Sequence, residues 1–232
     1  IVEQEVKLYV LCNPHNPGGR VWDCEVLEKI GHLCQKHGVL LVSDEIHQDL
    51  ALFGHRHTSF NTVDPSFKDF SLILTSATKT FNIAGTKNSY VVIENPKLRT
   101  AFKQRQLANN QHEISGLGYI ATEAAYRHGK PWLTELKQVF EKHIDYVVDE
   151  LHENTKIRVM KPQGTYLLWL DFSAYPYSDD ELHAKIHDQA KLILNRGTDF
   201  GKEGTLHARL NVAAPFTLIE EITKRLVETF HK

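Results

Sequence analysis

Residues 70–79 read FSLILTSATK, and this stretch decides the fold. Phe70–Thr75 is apolar without the polar/apolar alternation of a half-solvated strand, so it reads as a strand covered on both faces. At Ser76 it turns abruptly polar and ends on Lys79. The same pattern recurs. Lys7–Cys12 (KLYVLC) runs into the turn-rich loop Asn13–Arg20 (NPHNPGGR), Val39–Ser43 runs into Asp44–Glu45, and Ser89–Ile93 forms a fourth apolar run. Between the first two, Asp23 is placed to cap a helix reaching His37. Val26, Leu27, Ile30, Leu33 and Cys34 recur at helical spacing, and Gly38 is the stop signal. Continuous apolar strands joined in part by helices predict an α/β fold with a mainly parallel sheet. Such sheets bind ligands beyond the carboxyl ends of their strands. Three polar clusters fall there: the NPHNPGG loop, Asp44–His47 and Ser76–Lys79.

Beyond Pro96 the pattern becomes helical, with helices predicted over Pro96–Asn109, Ser115–His128 and Pro131–Asn154, the last with proline in its first turn. The remainder reads as a small α+β unit. Its strands are expected near Ile157–Lys161, Tyr166–Phe172, Leu192–Leu194 and Ala208–Val212, and its helices near Asp179–Ala190 and Thr217–Phe230. A domain boundary is expected near residue 130, giving domains 1–130 and 131–232.

Composition narrows the function classes. With 232 residues, 41% of them hydrophobic, the chain can bury a core, and a net charge of −2 provides no basic face for nucleic acid. No apolar run is long enough to span a bilayer, so no membrane partner is expected. Three cysteines without framework spacing (Cys12, Cys24, Cys34) point to reduced thiols and a cytoplasmic location. His55 and His57 lack companions at zinc spacing, so no metal site is read. The sequence starts at Ile1 almost directly in a strand-like run, and an N-terminal portion is expected to be missing.

Each polar cluster has a chemical and a plainer reading. Asp44, at the end of an apolar strand, suits a protonated ring nitrogen, or simply caps a turn. Lys79, after a buried strand, is placed for Schiff-base chemistry, or is a solvated loop lysine. Ser76 and neighbouring backbone N–H groups can donate to a phosphate. Asn16 can offer its amide to a phenolic oxygen, or is an ordinary turn residue before proline. Arg209, inside the apolar run Leu206–Ala213, calls for a carboxylate. That carboxylate is either the substrate's or one of the chain's own twenty-nine acidic side chains.

Together these segments resemble the fold-type I enzymes that use pyridoxal 5'-phosphate (PLP), in the class I/II aminotransferase family. NPHNPGG (Asn13–Gly19) is similar to the family's NPxNPTG loop, with Gly18 in place of Thr. SDEIH (Ser43–His47) resembles its Asp-bearing strand end, SATKTFNIAG (Ser76–Gly85) its Ser-x-x-Lys segment, and HARLNVAAP (His207–Pro215) its Arg-x-Asn strand. The branch most resembled is the MalY/PatB-type C–S lyases, on SDEIHQDL, KTFNIAG, GYIATEAAYRHGKPWL (Gly118–Leu133) and GTYLLWLDF (Gly164–Phe172). The resemblance implies part of a PLP-binding large domain followed by a small α+β domain, and a homodimer. It also implies a C–S β-lyase acting on cystathionine or cysteine S-conjugates, with an amino-acid aminotransferase as the alternative. It makes Lys79 the covalent cofactor residue and proton carrier, and pairs Asp44 with the ring nitrogen. Asn16 contacts the phenolic oxygen with His47 nearby, Ser76 contacts the phosphate, and Arg209 binds the substrate α-carboxylate. Lys87 stands where many relatives carry a phosphate-binding Arg, and acts as a point charge rather than a planar fork. The family's glycine-containing phosphate loop, ring-stacking aromatic and cross-dimer substrate residues belong to the portion expected to be missing, so this chain alone is expected to be inactive.

DEIH (Asp44–His47) followed by SAT (Ser76–Thr78) also mimics two motifs of DExH nucleic-acid-dependent ATPases. That reading lacks a GxxxxGK[ST] phosphate loop and leaves NPHNPGG and Arg209 without a role.

Overall fold

The computed structural model describes residue 1, residues 3–111 and residues 113–232. It divides the chain into two compact units. The first contains Ile1–His15 and Val21–Thr134; the second contains Asn16–Arg20 and Glu135–Lys232.

In the first unit, strands β1 (Leu8–Cys12), β2 (Leu40–Asp44), β3 (Ser71–Thr75) and β4 (Tyr90–Val92) form one sheet in sequence order. β1, β2 and β3 are mutually parallel, while β4 is antiparallel to β3. The short helix α2 (Ala77–Thr80) and a 3-10 turn at Ala84–Thr86 separate β3 from β4. Helix α1 (Cys24–Lys36) links β1 to β2 and buries Leu27, Gly31 and Cys34. Gly38, at φ +64°, follows its C-cap in the left-handed conformation that ends so many helices. Leu11, Leu27, Cys34, Val39, Leu41, Phe60, Phe67 and Ile73 form the core, with the Phe60 and Phe67 rings stacked 5.0 Å apart. Helices α3 (Pro96–Ala108) and α4 (Gly116–His128) follow β4, and α5 (Lys130–Asn154) carries the chain into the second unit.

The sequence reading assigned nothing to Glu45, a fully buried carboxylate. Its Oε1 accepts from Ser43 Oγ (2.9 Å) and from Phe60 N (2.9 Å), and its Oε2 meets His57 Nε2 at 3.0 Å. These partners meet the desolvation cost that an isolated buried carboxylate would carry, and they fasten the loop through residues 57–60 to the end of β2.

In the second unit, β5 (Arg158–Met160), β6 (Leu167–Asp171), β7 (Asn195–Arg196) and β8 (His207–Asn211) form an antiparallel sheet in the order β5-β6-β8-β7. Leu168, Leu170, Ala208 and Leu210 lie buried on one face, while Trp169, His207 and Arg209 are half-buried. Helix α6 (Asp179–Asp188) opens with a reciprocal Ser178–Glu181 capping box, and α7 (Phe216–Thr229) closes the unit. The strand expected at Leu192–Leu194 is displaced to Asn195–Arg196. Lys191 is left-handed at φ +55°, and Leu192 N donates to Ile186 O (3.1 Å), so this apolar run completes the end of α6. Asn16–Arg20 joins this unit as a strap: Gly19 O accepts from Gln163 N (2.8 Å) and Gly164 N (3.1 Å). At φ +67°, a Cβ on Gly19 would run into Pro162.

No helix among the described residues is long and apolar enough to cross a membrane. Two stability outcomes follow for the first unit, both measurable by denaturant titration. Phe67→Ala removes a fully buried ring and should cost about 3–5 kcal/mol. Glu45→Ala strands the Phe60 N–H and the Ser43 and His57 side chains, and should cost roughly 2–4 kcal/mol.

Candidate active site

Parallel registry brings the polar clusters of the first unit to one edge. Cys12 lies opposite Asp44, and Asp44 opposite Leu74. Beyond these pairs, Asn13 N donates to Asp44 O (2.9 Å) and Glu45 N to Leu74 O (2.8 Å), so β1, β2 and β3 end at one level. Asn13 is wholly buried and serves the scaffold: its Nδ2 donates to Thr58 O (3.2 Å) and its Oδ1 accepts from Trp22 N (3.2 Å).

Asp44 is half-buried. Its Oδ1 accepts from Ile46 N (3.2 Å), while Oδ2 has no hydrogen-bond or ionic partner among the described residues. His47 is buried at the start of the 3-10 turn Gln48–Leu50. From that turn Asp49 Oδ2 accepts from Thr80 Oγ1 (2.8 Å), tying the segment after β2 to the helix that carries the lysine.

Lys79 lies on α2, half-buried, and has no hydrogen-bond or ion-pair partner among the described residues. Ser76 is the N-cap of α2: its buried Oγ accepts from Thr78 N (3.0 Å) and donates to Asn88 O. A hydroxyl has one proton to give, so a phosphate contact from Ser76 requires redirecting that donation. Thr78 Oγ1, 2.7 Å from Ser76 Oγ, is a second hydroxyl beside it. Lys87 is exposed in a left-handed conformation (φ +49°) and directly precedes Asn88, so the Ser76–Asn88 bond draws Lys87 toward the serine.

Asn16 and Arg209 belong to the second unit, and they touch. Arg209 donates from Nη1 to Asn16 Oδ1 (2.9 Å) and from Nη2 to Asn195 Oδ1 (2.8 Å). No acidic side chain among the described residues bonds the guanidinium. The internal salt bridge therefore falls away as an explanation of this arginine. Burial pulls the Arg209 pKa down, against the raising influence of Tyr166 and Asp199. A cation held by neutral amides retains three of its five donors and its full demand for an anion. With Oδ1 fixed on the guanidinium, the Asn16 side chain directs its amide nitrogen away from Arg209, in the donor sense that a phenolic oxygen requires.

The sequence reading thus named seven residues, which the structure groups as Asp44, His47, Ser76, Lys79 and Lys87 in one unit and Asn16 and Arg209 in the other. It missed Glu45, Asp49, Asn88 and the Asn16–Arg209 bond. Asp49 was legible as the third acid of SDEIHQDL. The other links join residues too distant in sequence for any spacing rule to find.

The model of the aminotransferase class I and II family matches residues 2–226. The chain is 41% identical over 225 residues to cystathionine beta-lyase PatB of Bacillus subtilis, covering 97% of this chain and 58% of that protein. It is 34% identical to protein MalY of Escherichia coli, covering 95% of this chain and 56% of that one. The structure of cystalysin from Treponema denticola, which contains a pyridoxal 5'-phosphate cofactor, superposes with a TM-score of 0.95 at 34% identity. That likeness covers 98% of this chain and 59% of cystalysin. The chain therefore spans a little over half the length of the proteins it matches. On the family match across residues 2–226, and on the likeness of fold, the chain belongs to the class I and II aminotransferase family.

Proposed function

We propose that the protein carrying this chain is a PLP-dependent C–S β-lyase. It would cleave the Cβ–S bond of cystathionine or a cysteine S-conjugate and, with uptake of one water, release a thiol, pyruvate and ammonia. One observation carries the proposal: the half-buried Lys79 amine and one carboxylate oxygen of half-buried Asp44, both without partners among the described residues, stand at or just beyond the ends of two neighbouring parallel strands. PLP requires such a set, an amine for covalent attachment and a carboxylate for its ring nitrogen. Ser76, Thr78 and Lys87 supply hydroxyl and cationic groups suited to its phosphate. When bound, PLP supplies the electron sink for a carbanion.

The remaining work falls to the chain. Lys79 Nζ would hold the cofactor, and the same amine would serve as the base for the proton on the substrate Cα. Asp44 Oδ2 accepts the ring N–H and keeps that nitrogen protonated. Asn16 donates to the phenolic oxygen, with His47 near it, and Arg209 takes the substrate α-carboxylate. Transamination would use the same residues, so the choice of β-elimination rests on likeness to PatB and MalY, both closer in identity than aspartate aminotransferase of Geobacillus stearothermophilus at 26%. Three cysteines outside any disulfide suit a reducing cytoplasm, and a homodimer is the assembly proposed.

The test is borohydride reduction with PLP, peptide mass spectrometry, and a pyruvate assay on cystathionine. The expected adduct is on Lys79. Lys79→Ala should abolish the adduct and lower turnover by about 10³-fold or more. Asp44→Ala should keep part of the cofactor and lose roughly 10²-fold in kcat. Normal turnover in Lys79→Ala would end this reading.

A further inference from the structure

The guanidinium of Arg209 is gripped at its edges by Asn16 and Asn195, and one of its faces is covered as well. The Phe200 ring lies under it, 4.8 Å from Cζ to ring centroid. Phe200 is itself braced edge-on by Trp169 (5.6 Å, 88°), and Trp169 stacks on His207 (5.2 Å, 17°). Trp169 and Arg209 are cross-strand partners in β6 and β8, so the sheet register sets the spacing of the whole stack.

The loop carrying Phe200 is pinned by backbone contact. Gly197 and Gly204 begin and end two successive 3-10 turns, Gly197–Phe200 and Lys202–Gly204. A Cβ on Gly204 would strike the Gly197 carbonyl, and one on Gly197 would strike the Gly204 carbonyl. This close approach is open only to glycine, and it holds the loop that presents the Phe200 ring to the guanidinium.

We propose that Phe200 is a positioning residue for the carboxylate site. It keeps the Arg209 guanidinium flat and partly desolvated, so that the three unused donors present a fixed fork. Resting on the Arg209 role proposed above, this adds the ring that makes the fork rigid. An aromatic platform under a guanidinium contributes through cation–π attraction and through immobilisation before binding. Phe200 touches neither substrate nor cofactor in this role, so its removal should weaken carboxylate binding and leave the chemical step intact.

The test uses the cofactor-free protein labelled with 15N-arginine. The Nε–H resonance of Arg209, identified by its loss in Arg209→Gln, is titrated with propionate. Phe200→Leu should weaken propionate binding about 3- to 10-fold, and Phe200→Tyr should restore it. In the intact, PLP-loaded protein, Phe200→Leu should raise KM for cystathionine by a similar factor with kcat within about 2-fold. Unchanged propionate affinity in Phe200→Leu, while the wild-type Arg209 resonance responds, overturns the role of Phe200 alone. A wild-type resonance that ignores propionate overturns the carboxylate role of Arg209, and this inference with it.

Discussion

Parallel pairing of β1, β2 and β3 is the constraint on which the candidate site depends. An antiparallel neighbour would send the next strand's carboxyl end to the opposite edge. Here three strands stop together, with Cys12, Asp44 and Leu74 in register. The backbone bonds Asn13 N to Asp44 O and Glu45 N to Leu74 O carry that alignment one residue past the strands. Polar side chains beyond the edge therefore converge without any direct attraction between them. The apolar interiors of the strands, Leu41 and Ile73 among them, fix that level through burial.

Neighbouring residues of like chemistry divide the labour. Asn13 is wholly buried and spends its amide on Thr58 and Trp22, while Asn16 bonds a guanidinium. Glu45 is buried and fully committed to Ser43, His57 and Phe60, while Asp44 beside it keeps one oxygen unengaged. Strand alternation sends adjacent side chains to opposite faces, so of two consecutive acids one enters the core and the other faces the edge. The buried member stiffens the scaffold that orients the exposed one.

Much of this was legible in the sequence, because burial and turn chemistry are local. The apolar runs located β1, β2 and β3, and the Asp23-to-Gly38 frame located α1. The motif order placed Asp44 and Lys79 at or just beyond strand ends, and Arg209 within a strand. Legibility failed where a long-range contact overrode local composition. Leu192–Leu194 reads as a strand by composition, yet the Leu192 N–H closes the end of α6 instead. The Glu45 network, the platform under Arg209 and the commitment of the Ser76 proton to Asn88 depend on partners that no spacing rule brings together. The alternatives left open for Arg209 were separated only by seeing that its partners are amides.

The strap Asn16–Arg20 imposes an order on the assembly of the molecule. It is synthesised well before the groups that hold it, Pro162 and the N–H groups of Gln163 and Gly164. While the ribosome is extending the intervening segment, Gly19 has no native partner and the strap remains a solvated turn. The second unit therefore cannot mature as an independent C-terminal module. It must close across the intervening residues 21–134 to gather Asn16–Arg20 into its fold, a closure whose entropic cost grows with the logarithm of the span and whose rate falls with sequence separation. Splitting the gene at the apparent domain boundary would part the second unit from a piece of its own fold.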